Sequence, residues 1–473
     1  MSDKPLWQLN ACDLAGKIAD GDVSSLDVVS ATVDRMRAAN PKLNAVVDDL
    51  GDDAITQAKK HDELMAKSGP IGPLHGVPVT IKENIDQTGR ATPNGVTGFK
   101  DVIASGNSPV VSNLQKAGAI VIGRTNTPEF SFRATTVNEL HGRTFSPWND
   151  WASSGGSSGG ASSAVMGGMG PIAHGNDIGG SLRYPAAATG SVTVKPGLGR
   201  VPAYNPSQTA ERGLLAQIMS VQGVICREVK DVRLAMRALV EYDPHDPWMV
   251  PMPFDGPDID GKLKVAFTKN MYEFDLHPAV EKALDTARDC LADSGYEVVE
   301  ADLPELRECA QDGVKSLFGE VKALLGDQIM QHGSETLKKI FADYYEVFEP
   351  HEGKYLLLAM AKRNYYHRNF NLMFQRYPLV LTPFLPKPTY EWDRDAQGIE
   401  GVRETLEAGI YSIAFNYTGL PAGNVAANYN DGLPVGVQIV GSRFREDLIL
   451  DACEAIEDRV GVMAERLFAR EAG

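Results

Sequence analysis

Six consecutive residues, Gly155-Gly156-Ser157-Ser158-Gly159-Gly160, are all glycine or serine, and they run straight into Ala161-Ser162-Ser163-Ala164-Val165-Met166. Backbone so poor in side chains can approach another group closely and take up conformations closed to bulkier residues. A flexible linker shares the composition, but a linker does not continue into a small, apolar segment. That continuation reads as a tightly packed, buried helix, so the stretch belongs inside a fold rather than between folds. Two other uses of glycine-rich loops fail on the residues present. A phosphate cradle needs the Lys and Ser/Thr of Gly-x-x-x-x-Gly-Lys-Ser/Thr, and a dinucleotide loop needs Gly-x-Gly-x-x-Gly after a strand; both patterns are missing here.

A second small-residue stretch, Asp177-Ile178-Gly179-Gly180-Ser181-Leu182-Arg183, places Ser181 24 residues after Ser157 (181 − 157). A plain turn explains a lone Gly-Gly-Ser. The same glycines also let consecutive N–H groups point at one spot, as an oxyanion hole requires, where one donor is worth about 3–4 kcal/mol in the transition state. A serine hydroxyl is a poor nucleophile until a neighbouring base takes its proton. Lys82, in Ile81-Lys82-Glu83-Asn84, stands 75 residues before Ser157 (157 − 82). It ends the apolar run Val77-Pro78-Val79-Thr80-Ile81, which reads as a buried strand. Taken alone, it is a snorkelling surface lysine. It becomes a base only when neutral, which needs burial or nearby cations.

Together these pieces resemble the amidase signature family, whose members cleave carboxamides with a Ser–Ser–Lys triad. The family pattern stands here as Gly76-Val77-Pro78 through Lys82-Glu83-Asn84, then Gly123-Arg124-Thr125-Asn126, then the two stretches above, with Pro185 and Lys195-Pro196 closing it. Gly419-Leu420-Pro421 and Gly432 to Gln438 match as well, so the resemblance covers most of residues 5 to 240 and resumes from about 378. Thr189 and Val194 depart from the usual cysteine and leucine, away from the chemistry.

The resemblance implies Ser181 as nucleophile, Ser157 as a bridging serine on a cis peptide after Gly156, and Lys82 as terminal base. It implies an oxyanion hole from the N–H groups of Ile178, Gly179, Gly180 and Ser181, with Asp177, Arg183 and Ser158 in support. Ser131, Phe132 and Arg133 align with a pocket-lining stretch, and an arginine there points to a polar or anionic substrate. The implied activity is hydrolysis of the C–N bond of a linear carboxamide through an acyl-Ser181 intermediate, with esters as side substrates and no cofactor. Family members are often dimers, so a homodimer is compatible.

Two alternatives stay open. One is the glutamine-hydrolysing subunit of a tRNA-dependent amidotransferase, although Thr382-Pro383-Phe384-Leu385-Pro386 lacks the charged residues its glutamine pocket uses. The other is a catalytically silent binding protein, whose expected mark is a missing triad member. His174, seven residues before Ser181, invites a Ser–His–Asp reading. The polar string His174-Gly175-Asn176-Asp177 reads instead as a buttress for the loop.

A net charge of −16 argues against nucleic-acid partners and anionic membranes. Five scattered cysteines (Cys12, Cys226, Cys290, Cys309, Cys453) lack metal spacing and suit a reducing cytoplasm. No metal is expected, nor is a signal peptide or a membrane span. The buried setting of Asn416-Tyr417-Thr418 makes that sequon a poor glycosylation site.

The fold expected is α/β, with a large mixed, mostly parallel central sheet flanked by helices. Residues 1–240 read as the signature core with N-terminal helices, 241–377 as a variable βαβ and helical insertion able to cap the site, and 378–473 as the part completing the same α/β domain. Two amphipathic helices fill residues 8–39, with Asp13 and Ser24 or Ser25 as N-caps. Val110 to Lys116 reads as a helix and Ala119 to Ile122 as the strand after it. Strand 263–267, helix 278–294 and strand 296–299 form a βαβ unit.

Overall fold

In the computed structural model, which describes residues 4–259 and 261–472, eleven strands form one mixed sheet. Across the sheet the order is Val46–Asp49, Ile120–Thr125, Pro78–Lys82, Ile172–Asp177, Val221–Cys226, Val192–Lys195, Ala422–Asn430, Leu433–Gly441, Leu379–Pro383, Lys264–Phe267 and Glu297–Glu300. Parallel pairing occupies the two flanks. Pro78–Lys82 runs parallel to both of its neighbours, and Lys264–Phe267 does the same at the other end. From Ile172–Asp177 to Leu379–Pro383 every pairing is antiparallel. Parallel character therefore belongs to the flanks, where helices provide the crossovers such pairing needs. At the centre Ala422–Asn430 and Leu433–Gly441 form a hairpin. Its two-residue turn, Asp431 and Gly432, has φ of 49° and 82°, as the twist of a tight hairpin demands.

The βαβ unit is present as Lys264–Phe267, Pro278–Asp293 and Glu297–Glu300, with the strands parallel and side by side. Ser24 caps the helix Ser25–Leu43 in a capping box with Asp27. The cap of Ala11–Ala19 is Asn10, not Asp13: Asn10 Oδ1 accepts the Asp13 N–H at 2.8 Å, and the Asp13 carboxylate reaches back to Asn10 Nδ2 at 2.8 Å. Asp13 thus sits inside the first turn, where an acid favours the helix dipole.

The main apolar core lies against the sheet, with Val77, Val79, Ile81, Leu379, Leu381, Val437 and Ile439 all buried. A second core holds the insertion, helices Leu306–Leu324, Gly326–His332, Glu335–Phe348 and Gly353–Phe374. Its aromatic centre is Phe318, stacked on Phe348 with ring centroids 5.3 Å apart and edge-on to Phe341. Phe318 shares that core with Ile413 and Phe415 of the helix Ile410–Tyr417, so the insertion packs onto the C-terminal part of the chain. No helix among the described residues is long and apolar enough to cross a membrane.

Candidate active site

The strand Pro78–Lys82 is buried at every position, and Lys82 at its carboxyl end has no exposed surface. Its Nζ lies 2.7 Å from Ser157 Oγ, 3.0 Å from Ser158 Oγ and 2.9 Å from Asn176 Oδ1. Burial pushes the pKa of Lys82 well below its ordinary value, with the carboxylates of Asp177 and Glu83 opposing the shift. Three N–H groups of an ammonium, or two N–H groups and the lone pair of an amine, both satisfy this set of contacts. Asn176 Oδ1 can only accept, and the Ser158 hydroxyl donates to the Asn176 carbonyl at 3.3 Å, leaving its oxygen to accept from Nζ. In the amine form the two N–H groups are then used, and the Nζ lone pair is left for the Ser157 hydroxyl.

Ser157 follows a cis peptide bond from Gly156. A Cβ at Gly156 would collide with the Arg133 carbonyl and the Ala134 backbone, which is why the stretch admits only glycine there. The helix after it, Gly159–Met166, is buried along its whole length. Ser181 reaches the surface of a cleft, and its carbonyl accepts the Ser158 N–H at 3.2 Å. Among the described residues no hydrogen bond joins the hydroxyls of Ser157 and Ser181.

The turn leading to Ser181 is held by Asp177. Its carboxylate receives the Gly180 N–H at 2.7 Å, the Leu182 N–H at 3.1 Å and Asn416 Nδ2 at 2.9 Å. Arg183 grips it with two donors, each at 3.0 Å. Burial alone would raise the pKa of Asp177, but the Arg183 guanidinium and these donors bring it down to about 2. Arg183 itself also reaches Gln438 Oε1 at 2.8 Å. The Gly180 amide is therefore removed from the expected oxyanion set, because it is spent on Asp177. The N–H groups of Ile178, Gly179 and Ser181 have no acceptor among the described residues and lie at the cleft wall.

His174 is buried, with Nε2 3.0 Å from Gln222 Oε1. Burial pushes its pKa down to about 3 against the Gln222 bond. A ring so held is neutral at ordinary pH.

The cleft is floored by Ser181, Gly156, Ile178 and Gly179. Its walls are apolar: Phe132, Val314, Leu317, Phe318, Leu406 and Ile413. Ser131 and Arg133 line it too, and both are engaged by neighbouring side chains. Ser131 Oγ donates to Asn94 Oδ1 at 2.6 Å and receives Asn84 Nδ2 at 3.0 Å. Arg133 binds Asp395 through Nε at 3.2 Å and Nη2 at 2.7 Å, and pairs with Asp393 as well. The expectation that this arginine attracts an anionic substrate is thereby corrected: two carboxylates already neutralise it, and the surrounding wall is hydrocarbon.

Some residues of the site were not among those expected. Asn176, which holds Lys82, lies in the string read as a loop buttress. Asn416 and Gln438 carry no local motif for this role, and Val314, Leu317 and Phe318 come from the helix Leu306–Leu324, where no short motif pointed to a site.

The amidase family pattern matches residues 27–450. The chain is 47% identical over 472 residues to an indoleacetamide hydrolase of Bradyrhizobium diazoefficiens, covering 98% of this chain and 89% of that protein. It is 30% identical over 483 residues to a glutamyl-tRNA(Gln) amidotransferase subunit of Carboxydothermus hydrogenoformans, covering 96% of this chain and 97% of that protein. A solved bacterial aryl acylamidase of the amidase signature enzymes superposes with a TM-score of 0.84 at 25% identity, covering 99% of both chains. The fold is shared with amide hydrolases of this kind. This chain belongs to the amidase family, and it hydrolyses the C–N bond of amides.

Proposed function

We propose that the substrate is an arylacetamide of the indole-3-acetamide type, hydrolysed to the arylacetate and ammonia with Ser181 as nucleophile. The observation that carries this reading is a buried Lys82–Ser157 hydrogen bond beside a cleft walled by hydrocarbon and aromatic side chains. The identity to an indoleacetamide hydrolase supports the same acyl group.

Neutral Lys82 accepts the Ser157 hydroxyl proton while Ser157 accepts the proton of Ser181, whose oxygen adds to the amide carbonyl. The N–H groups of Ile178, Gly179 and Ser181 receive the oxyanion. As the C–N bond breaks, its electron pair stays on nitrogen, Ser157 protonates that nitrogen, and Lys82 returns its proton to Ser157. Ammonia leaves an ester on Ser181. Water then attacks the ester, its proton follows the same relay to Lys82 and back to Ser181 Oγ, and the acid departs. Unliganded sites commonly leave such hydrogen bonds open until substrate aligns them, so the gap between Ser157 and Ser181 is compatible with the relay.

Glutamine suits this cleft poorly. Its α-ammonium and carboxylate need charged partners, and Arg133, a cleft-lining charge, is already paired. A cytoplasmic setting is part of the proposal, supported by five cysteines that are all free thiols.

The test is ammonia and acid release from indole-3-acetamide, phenylacetamide and glutamine, with Ser181→Ala alongside. Arylacetamides should turn over well above glutamine. A folded Ser181→Ala enzyme should keep less than about a thousandth of the rate, since loss of a catalytic nucleophile costs more than that. Preference for glutamine sinks the substrate assignment, and a larger residual rate sinks the nucleophile.

A further inference from the structure

Residues 390–395 form a strap that touches both sides of the turn carrying Ser157. On one side it pairs with the chain entering the glycine–serine stretch. The Tyr390 carbonyl accepts the Ser153 N–H at 2.8 Å, and Trp392 N–H donates to the Trp151 carbonyl at 2.9 Å. On the other side Asp395, fully buried, binds the Arg133 guanidinium with both oxygens and takes the Ala134 N–H at 3.1 Å. The backbone of Arg133 and Ala134 is the surface on which Gly156 rests, with no room for a Cβ between them. Next along, Thr136 Oγ1 donates to the Gly155 carbonyl at 2.9 Å and receives the Gly159 N–H at 3.1 Å. The cis-linked pair Gly156–Ser157 is thus seated in a cradle, residues 133–136, whose one buried ionic anchor is Asp395.

We propose that Asp395 is a positioning residue for Ser157: through Arg133 it fixes the cradle that aims the Ser157 hydroxyl between Lys82 and the leaving nitrogen. Asp395 touches no reacting atom. Its effect falls on the step in which Ser157 hands over a proton, and the proposal rests on the role given to Ser157 above. The same ion pair closes one end of the acyl cleft, because Arg133 and Ala134 line it. Loss of the anchor displaces a wall and a proton carrier together.

An amide nitrogen must be protonated before it leaves, whereas p-nitrophenolate departs as an anion. A displaced Ser157 therefore lowers the rate on an amide far more than on an activated ester of the same acid. The experiment measures kcat for phenylacetamide and for p-nitrophenyl phenylacetate in the wild type, in Asp395→Asn, and in the double variant Arg133→Met/Asp395→Leu. The double variant leaves no lone charge buried, so it keeps folding apart from positioning. The amide-to-ester ratio should fall about 10- to 100-fold in both variants, the scale of a misplacement of about 1 Å. A loss of folded protein lowers both rates together and leaves the ratio where it was. An unmoved ratio in the double variant overturns the proposal. Ser157→Ala is the control, and it should lower the ratio further still. If Ser157→Ala leaves the ratio intact, the proton-carrier role itself has failed and the strap's role falls with it. If only the strap variants leave it intact, the strap alone is refuted.

Discussion

Asp177→Asn is the most informative single change at this site, since it alters charge and hydrogen-bond polarity while keeping size. The carboxylate accepts five hydrogen bonds, from Gly180, Leu182, Asn416 and two from Arg183. An asparagine amide turns one of the two acceptor oxygens into a donor, so at least two of those five donors meet a donor. Arg183, fully buried, also loses its counter-charge. The fall of the Asp177 pKa from 3.8 to about 2 gives a floor for the loss. At about 1.36 kcal/mol per pK unit this is on the order of 2 kcal/mol of stability at neutral pH. Because the folded pKa is the lower one, that contribution is whole above pH 3.8 and is lost as pH falls towards about 2. Leaving Arg183 uncompensated raises the expected total to about 3–5 kcal/mol. Urea unfolding of both proteins at pH 7 and pH 5 should show that difference unchanged between the two pH values. Activity should drop about 100- to 1,000-fold in protein that is still folded, because the turn presenting the oxyanion amides is no longer pinned. The companion Asp177→Leu/Arg183→Met should recover stability and not activity. A destabilisation below about 1 kcal/mol, or near-normal turnover in Asp177→Asn, would refute the argument.

Activity should rise with pH along a single ionisation well below the usual lysine range, because burial disfavours the ammonium form of Lys82 and only the amine can accept a proton. That limb should vanish from the residual rate of Lys82→Ala and persist in His174→Ala; the reverse result replaces the lysine base with a histidine. Phe318→Ala should cost about 3–5 kcal/mol of stability through the hole left in the aromatic core. It should also raise kcat/KM for bulkier arylalkanoic amides relative to indole-3-acetamide, as read from competition between the two substrates. Unchanged selectivity would place the acyl group elsewhere.

Much of the local geometry of the candidate site was legible because it is set by neighbouring residues. A lysine ending an apolar strand, a glycine–serine run entering a small-residue helix and a Gly-Gly-Ser turn each state their own backbone requirement within a few residues. The same is true of the βαβ unit and the Ser24 capping box. What escaped depends on partners far away in the chain. Nothing near Arg133 announces that Asp393 and Asp395 neutralise it, and so its charge looked available to a substrate. The Gly180 amide looked free because the spacing of glycines does not say that Asp177 folds back over them. The central hairpin had a local signal, Asp431-Gly432 between apolar runs, that was absorbed into the family motif and not read as a turn. Asn10 and Asp13 compete for one helix start three residues apart, and side-chain reach decided it.

The dependence of Asp177 and Arg183 on Asn416 and Gln438 has a consequence for how this enzyme comes into being. A ribosome that has reached residue 200 has already delivered Lys82, Ser157 and Ser181. The charged pair beneath the oxyanion turn then still lacks two of the groups that will surround it, and Arg133 lacks both of its carboxylates. At about 5–20 residues per second the remaining chain takes many seconds to emerge. Throughout that interval the nascent chain carries Lys82, Ser157 and Ser181 without the groups that hold the turn beneath Ser181. The proposed nucleophile thus gains its folded setting only when residues from the last third of the chain have packed against it.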